Sequence, residues 1–328
     1  MMTFLLRRLI FMVITVAAIS MVGFTIINLP PGSALEVRIN QLRQQGGDIS
    51  IEYIRGLEER YGLRDPLHVK YLKWVSRAIR GDFGQSFVMQ DQPVGPLIWQ
   101  RLGFSVGLAL FAIIFSWSVA IPLGVYAATH RYSWPDYVIS FFQFVGFAIP
   151  EFLAALLLLV FASQVLDIEV GVLFSRQYRD APWSFAKFVD FLKHIWIPCA
   201  VLAISGTAWL TRVMRANLLD VLGQQYVQTA RSKGLQEYIV IWKHAVRNAL
   251  HPLIMALGGA FPALVSGEVI VSIVTNMPTT GPIYARALIT KDMYLAVTIL
   301  LMLSIAVVIG NLIADLLLAW ADPRIRLE

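Results

Sequence analysis

The chain has 328 residues, of which 57% are hydrophobic and only 15% charged, against roughly 25% charged in an average soluble protein. That balance excludes a soluble globular domain, which could not bury so much apolar side chain beneath a polar surface, and it excludes a disordered chain. The net charge of +6 comes without the basic and aromatic interleaving of a single-strand nucleic-acid binder, so it fits the basic cytoplasmic face of a membrane protein, and the single cysteine, Cys199, excludes a disulfide framework.

A membrane span needs about 20 mostly apolar residues. Leu9–Leu29 is uncharged and follows Arg7 and Arg8. It is too long for the apolar stretch of a signal peptide and reads as a retained anchor. The segment from Pro30 to Ile98 is polar and nearly neutral. Within it, Ser50–Arg80 has helical periodicity (Tyr53, Leu57, Tyr61, then Tyr71, Trp74, Val75, Ile79), which predicts a small helical cap. Leu102–Ala128 is a second, uncharged span. Tyr137–Leu166 is a third, with one acid, Glu151, directly after Pro150, where the proline frees a backbone carbonyl and kinks the helix. The connection from Gln164 to His194 is balanced in charge. Ile195–Leu210 is a short fourth span, Leu253–Val274 a fifth that carries Glu268, and Leu295–Ala321 a sixth that carries Asp315.

The expectation is an all-α polytopic membrane protein with six transmembrane helices in two parts. Residues 1–100 form an N-terminal anchor with an extracytoplasmic helical loop, and residues 101–328 form a core of five membrane helices. Six spans put both termini on one side. The tails hold Arg7, Arg8, Arg324 and Arg326, and the fourth-to-fifth connection holds Arg212, Arg215, Arg231, Lys233, Lys243 and Arg247. That excess places the termini and this connection in the cytoplasm.

Reactive clusters do not emerge. There is no GxxxxGK[ST] phosphate loop, no HExxH pair and no GxSxG elbow. His244 and His251 lie two helical turns apart without further ligands nearby, so no metal site is expected. An ionised group at mid-bilayer costs about 2.5–3.5 kcal/mol on insertion scales and usually faces protein or a water-filled cavity. Glu151 and Glu268 are therefore open to two readings: they line a substrate path, or each bonds a neighbouring helix. Gln143 joins them as a path candidate. Asp315, near the cytoplasmic end of its span, reads as structural. In the cytoplasmic connection, Tyr226–Lys233 predicts a helix, Gly234 its left-handed stop, and Gln236–Leu250 a second, basic and amphipathic helix. Pro252 cannot continue that helix and marks re-entry into the membrane. Such a surface suits either a cytoplasmic partner or anionic lipid, and the residues alone leave both open.

YVQTARSKGL (Tyr226–Leu235) followed by HAVRNALHP (His244–Pro252) resembles the cytoplasmic loop of ATP-binding-cassette importer permeases. Gln228, Thr229, Ala230 and Gly234 fall on the family's Glu-Ala-Ala-x-x-x-Gly pattern, with Gln228 in place of the acid and Thr229 in place of the first alanine. Both departures are usual in the dipeptide, oligopeptide and nickel branch. LLRRLIFMVITVAAISMVGFTIINLPPG, YGLRDPLHVKYLKWV, RGDFGQSF, Pro93-Val94, NMPTTGPIYARALITKDMYL and ADPRIRLE resemble further segments of that branch, in order. Ser33 stands where the branch commonly has an aspartate. The resemblance implies a type I importer permease fold and the first of two permease subunits, in a bacterial cytoplasmic (inner) membrane. It implies a coupling helix in which Tyr226, Gln228, Thr229, Ala230, Arg231, Lys233, Gly234 and Leu235 meet an ATPase. The partners it implies are a second homologous permease, two cytoplasmic ATPase subunits, an extracytoplasmic substrate-binding protein and membrane lipid, with no nucleic acid. The chain itself is then no enzyme and carries no cofactor, ATP and Mg being bound by the ATPases. The implied substrates are peptides or related small solutes. The same fold in this branch also carries glycosides, opines or nickel chelates, and a membrane receptor or scaffold is the remaining non-transport reading.

Overall fold

In the computed structural model, residues 2–29, 56, 65–86, 89, 92–166 and 171–321 are described. The helices are α1 (Met2–Asn28), α2 (Leu67–Ala78), α3 (Val94–Thr129), α4 (Trp134–Ala148), α5 (Glu151–Gln164), α6 (Phe185–Leu222) and α7 (Gln225–Ser232). They continue with α8 (Glu237–Ile239), a π-helical stretch Val240–Val246, α9 (Arg247–Ala249), α10 (His251–Thr275), α11 (Thr280–Ile289) and α12 (Met293–Ala321). The all-α expectation holds. Among the described residues, five helices are long and apolar enough to cross a membrane: Leu6–Asn28, Val94–Thr129, Phe185–Leu222, His251–Thr275 and Met293–Leu316. The expected third span is two helices, α4 and α5, bent by 107°, and it makes a sixth crossing only if the pair counts as one. Pro150 explains the break. It has no N–H to continue the α4 ladder, and it pushes Ile149 into an extended conformation (φ −86°, ψ 118°).

The chain divides into two compact units. The first is Met1–Ser105 with Thr279–Val308. Its core is Phe24 of α1, Trp74 of α2 and Val297 of α12, flanked by Tyr71, Val75 and Ala78. The buried stripe at 71, 74, 75 and 78 is the i, i+3, i+4, i+7 face of an amphipathic helix. Ile79, expected on that face, is instead the exposed C-cap, because α2 ends at Ala78. The part of the expected cap before residue 65 lies outside the described residues, apart from residue 56, as does the tail from 322. Within the Arg80–Phe87 motif, whose last residue lies outside the described residues, the Ser86 hydroxyl donates to Asp292 Oδ2 at 2.6 Å. Ser105 and Thr280 share a second buried hydroxyl bond at 2.8 Å.

The second unit is Val106–Pro278 with Ile309–Glu328. Here α6 is central: α4, α5 and α10 pack against it. Leu108, Ala112, Ala154, Ala155, Cys199, Leu202 and Val271 form one cluster of its core. A second cluster joins Ala120 and Val125 of α3, Met214 and Leu218 of α6, Val227 and Ala230 of α7, and Val240, Ala245 and Val246 of the π stretch. Small residues allow the close approach. A Cβ on Gly124 of α3 would lie 2.7 Å from Met214 Cβ, as expected where membrane helices pack backbone to backbone.

Candidate functional site

Two regions of the second unit carry the residues singled out above. The first is the connection between α6 and α10. α7 stops in two hydrogen bonds that satisfy its last carbonyls: Leu235 N–H to Ala230 O (3.4 Å) and Gly234 N–H to Arg231 O (2.9 Å). This six-to-one and five-to-two pair requires a left-handed residue between, and Gly234 supplies it with φ +74°. The expected glycine stop is thus observed. The second helix starts at Glu237, but its middle is π-helical, which periodicity did not foretell. Pro252 sits in the first turn of α10, where a missing N–H is harmless, and the backbone runs through Leu250 without a sharp break.

The eight predicted coupling positions separate by face. Ala230 is buried and faces α3 and α6 with Val227. Tyr226, Gln228, Thr229, Arg231, Lys233, Gly234 and Leu235 are exposed. Tyr226 accepts a hydrogen bond from Asn248 Nδ2 at 2.8 Å, which ties α7 to the second helix. Arg231 pairs with Glu237 at 2.6 Å across the glycine turn. The guanidinium holds the Glu237 carboxyl below its usual range. Beside these residues the structure exposes Tyr238 and Trp242, one helical turn apart with ring centroids 6.3 Å apart. Sequence reasoning passed over them. The signal was present as aromatics at i, i+4 on the face opposite Val240 and Ala245. Exposed apolar patches of this kind mark protein or membrane contacts.

The second region is the packing of α5. Glu151 opens α5 and lines a cavity of about 620 Å³ bounded by α3, α5, α6 and α10. Its carboxylate lies against Gly267, where a Cβ would be 2.7 Å from Glu151 Oε2. Glu268, the next residue, is buried and is not among the residues lining that cavity. Gln143 is buried beside a different cavity, of about 510 Å³, between α4 and α6. Its Nε2 and the Thr207 hydroxyl on the same cavity have no hydrogen-bond partner among the described residues. The three path candidates therefore do not converge on one cavity. Asp315 lies half-buried in α12.

A link that sequence reasoning missed joins α4 to α6. Arg215 Nε and Nη2 donate to Asp136 Oδ1 and Oδ2 at 2.7 and 2.8 Å, a bidentate pair with the carboxylate nearly fully buried. Tyr132 N–H, on a residue with φ +63°, adds a third bond to Oδ2 at 3.0 Å. Arg215 lies two turns before the end of α6, and α7 follows within three residues. The pair thus ties α4 to the helix that carries the α7 hairpin.

Known proteins are similar to this chain in sequence and in fold. Residues 120–327 match the family described as binding-protein-dependent transport system inner membrane component. The oligopeptide transport system permease protein AppB of Bacillus subtilis is 35% identical over 98% of this chain and 99% of its own length. The oligopeptide transport system permease protein OppB of Haemophilus influenzae is 28% identical over 99% of this chain and all of its own. Among solved structures, a chain of the MetNI methionine ABC transporter superposes with a TM-score of 0.54 at 16% identity. It covers 69% of this chain and 96% of that one, a likeness of fold.

Proposed function

The chain belongs to the family of binding-protein-dependent transport system inner membrane components and is an ABC importer permease; from this premise we propose that it forms half of a transmembrane path for peptides. The second half comes from a homologous permease subunit. Two cytoplasmic ATPase subunits bind ATP and Mg and supply the work, so this chain needs no cofactor. An extracytoplasmic binding protein delivers the solute. Both termini and the α7 hairpin face the cytoplasm, in keeping with the basic residues there. The peptide assignment rests on the names of the full-length relatives.

The observation that carries the coupling part of this reading is the two-faced hairpin. Val227 and Ala230 lock α7 onto α3 and α6, while Tyr226, Gln228, Thr229, Arg231, Tyr238 and Trp242 face outward. An ATPase that grips the outward face moves α6 with it, and rigid-body rocking of the membrane helices follows. Glu151, Glu268 and Gln143 are the proposed polar groups of the path. The test is Gly234→Val in the complete transporter, reconstituted into proteoliposomes with its binding protein. Uptake of labelled peptide is expected to fall to background while the subunit remains membrane-inserted. Uptake at the wild-type rate would overturn the coupling role of α7.

A further inference from the structure

The cavity at Glu151 has an unusual lining. It contains one acid, two indoles (Trp117 and Trp209) and two serines (Ser116 and Ser205), with aliphatic side chains and glycines making up the rest and no basic residue. Glu151 is half-buried, and its carboxylate has no hydrogen bond or ion pair to any described residue. Its carboxylate occupies the room that Gly267 leaves, where a Cβ would lie 2.7 Å from Glu151 Oε2. An ionised carboxylate against an apolar wall is costly unless a counter-charge joins it. Aromatic faces add attraction for a cation, as they do for quaternary ammonium ligands. The volume, about 620 Å³, lies within the roughly 300–1,000 Å³ range of small-molecule sites.

We infer that this cavity takes the ammonium group of the transported solute, the free amino terminus of a short peptide, with Glu151 as its counter-ion and the indoles of Trp117 and Trp209 among its walls. The inference rests on the peptide-importer reading and adds to it a charge preference inside the permease. It assigns Glu151 a role that neither Glu268 nor Gln143 can share, since neither lines this cavity. Gly267 becomes a positioning residue: a methyl there displaces the carboxylate.

The test uses the purified complete transporter in nanodiscs, without the binding protein, and three probes in equilibrium dialysis: trialanine, N-acetyl-trialanine and N-acetyl-Ala-Lys-Ala. The wild type is expected to bind trialanine at least tenfold tighter than either acetylated peptide. Glu151→Gln is expected to remove that preference by weakening trialanine alone, and Glu151→Asp to keep it. Equal weakening of all three probes by Glu151→Gln would reduce Glu151 to a structural group and overturn the inference. So would an unchanged preference, or a wild type that binds none of the probes. Tight binding of N-acetyl-Ala-Lys-Ala would show a site for any ammonium and overturn the terminal assignment. Gly234→Val is carried through the uptake assay in parallel. If that variant transports normally, the coupling reading fails, whatever the dialysis shows. If it is inactive and the charge preference is missing, the cavity assignment alone fails.

Discussion

Gly234 resists substitution for a conformational reason. No atom lies within 4 Å of where its Cβ would be, so space is free and only φ +74° resists substitution. A left-handed L-residue costs about 1–2 kcal/mol, with asparagine the most tolerant and β-branched residues the least. Gly234→Asn is therefore expected to keep a substantial part of the uptake that Gly234→Val loses, in the same proteoliposome assay. The buried pair behaves differently. Asp136→Ala leaves Arg215 without its carboxylate and is expected to destabilise the subunit by about 3 kcal/mol, the low end for a broken buried pair because Arg215 is a quarter exposed. Unfolding in denaturant measures this, and the exchange Asp136→Arg with Arg215→Asp should recover part of the loss. The Arg231–Glu237 pair is exposed on both sides. With its carboxyl pKa lowered by Arg231, Glu237 contributes above the ordinary carboxylate range, and the contribution is lost as pH falls through the lowered value. Glu237→Gln is expected to change stability by less than about 1 kcal/mol at neutral pH, with no change at pH below that value. Gly234 was legible in sequence because its constraint is local. Asp136 and Arg215 were not, because they are 79 residues apart and each alone reads as an ordinary interfacial charge.

At the scale of elements, α6 is the part that sequence reasoning understated. Its apolar centre, Ile195–Leu210, suggested a short span, yet the helix runs from Phe185 to Leu222, about 57 Å at 1.5 Å per residue. Hydropathy shows where lipid or core covers a helix, not where hydrogen bonding ends it. The polar extensions persist because protein covers them: Ser175 donates to Asp190 near the first end, and the hairpin packs on Met214 and Leu218 near the last. The bend between α4 and α5 was half legible. Pro150 foretold a kink, but the 107° turn depends on what α5 packs against, and α6 and α10 supply that. The contact of α3 with α6 depends on Gly124, where an added Cβ would meet Met214 Cβ at 2.7 Å and Thr211 O at 3.0 Å. Gly124→Val is expected to destabilise the subunit by about 1–3 kcal/mol through overpacking. A denaturant midpoint equal to wild type would show that the two helices separate without cost.

In the whole molecule, composition and charge divide between two kinds of surface. Most of the 57% hydrophobic content lies in five long helices and one bent pair, and α1 keeps Leu9, Val13, Ile14 and Ile26 exposed, as a lipid- or partner-facing helix would. The charge that remains is concentrated at the connections, among them the basic α7 hairpin, whose residues Tyr226, Gln228, Thr229 and Arg231 are exposed. In the proposed function, this hairpin is where the ATPases grip the permease. Cys199 is the single cysteine and is buried at 2% exposure, so Thr229→Cys places one reactive thiol on the outward face of α7. Labelled there with a photoactivatable maleimide and irradiated in the assembled transporter, the subunit is expected to form a covalent adduct with an ATPase subunit. Adducts with lipid alone, in a complex that still contains both ATPases, would contradict it.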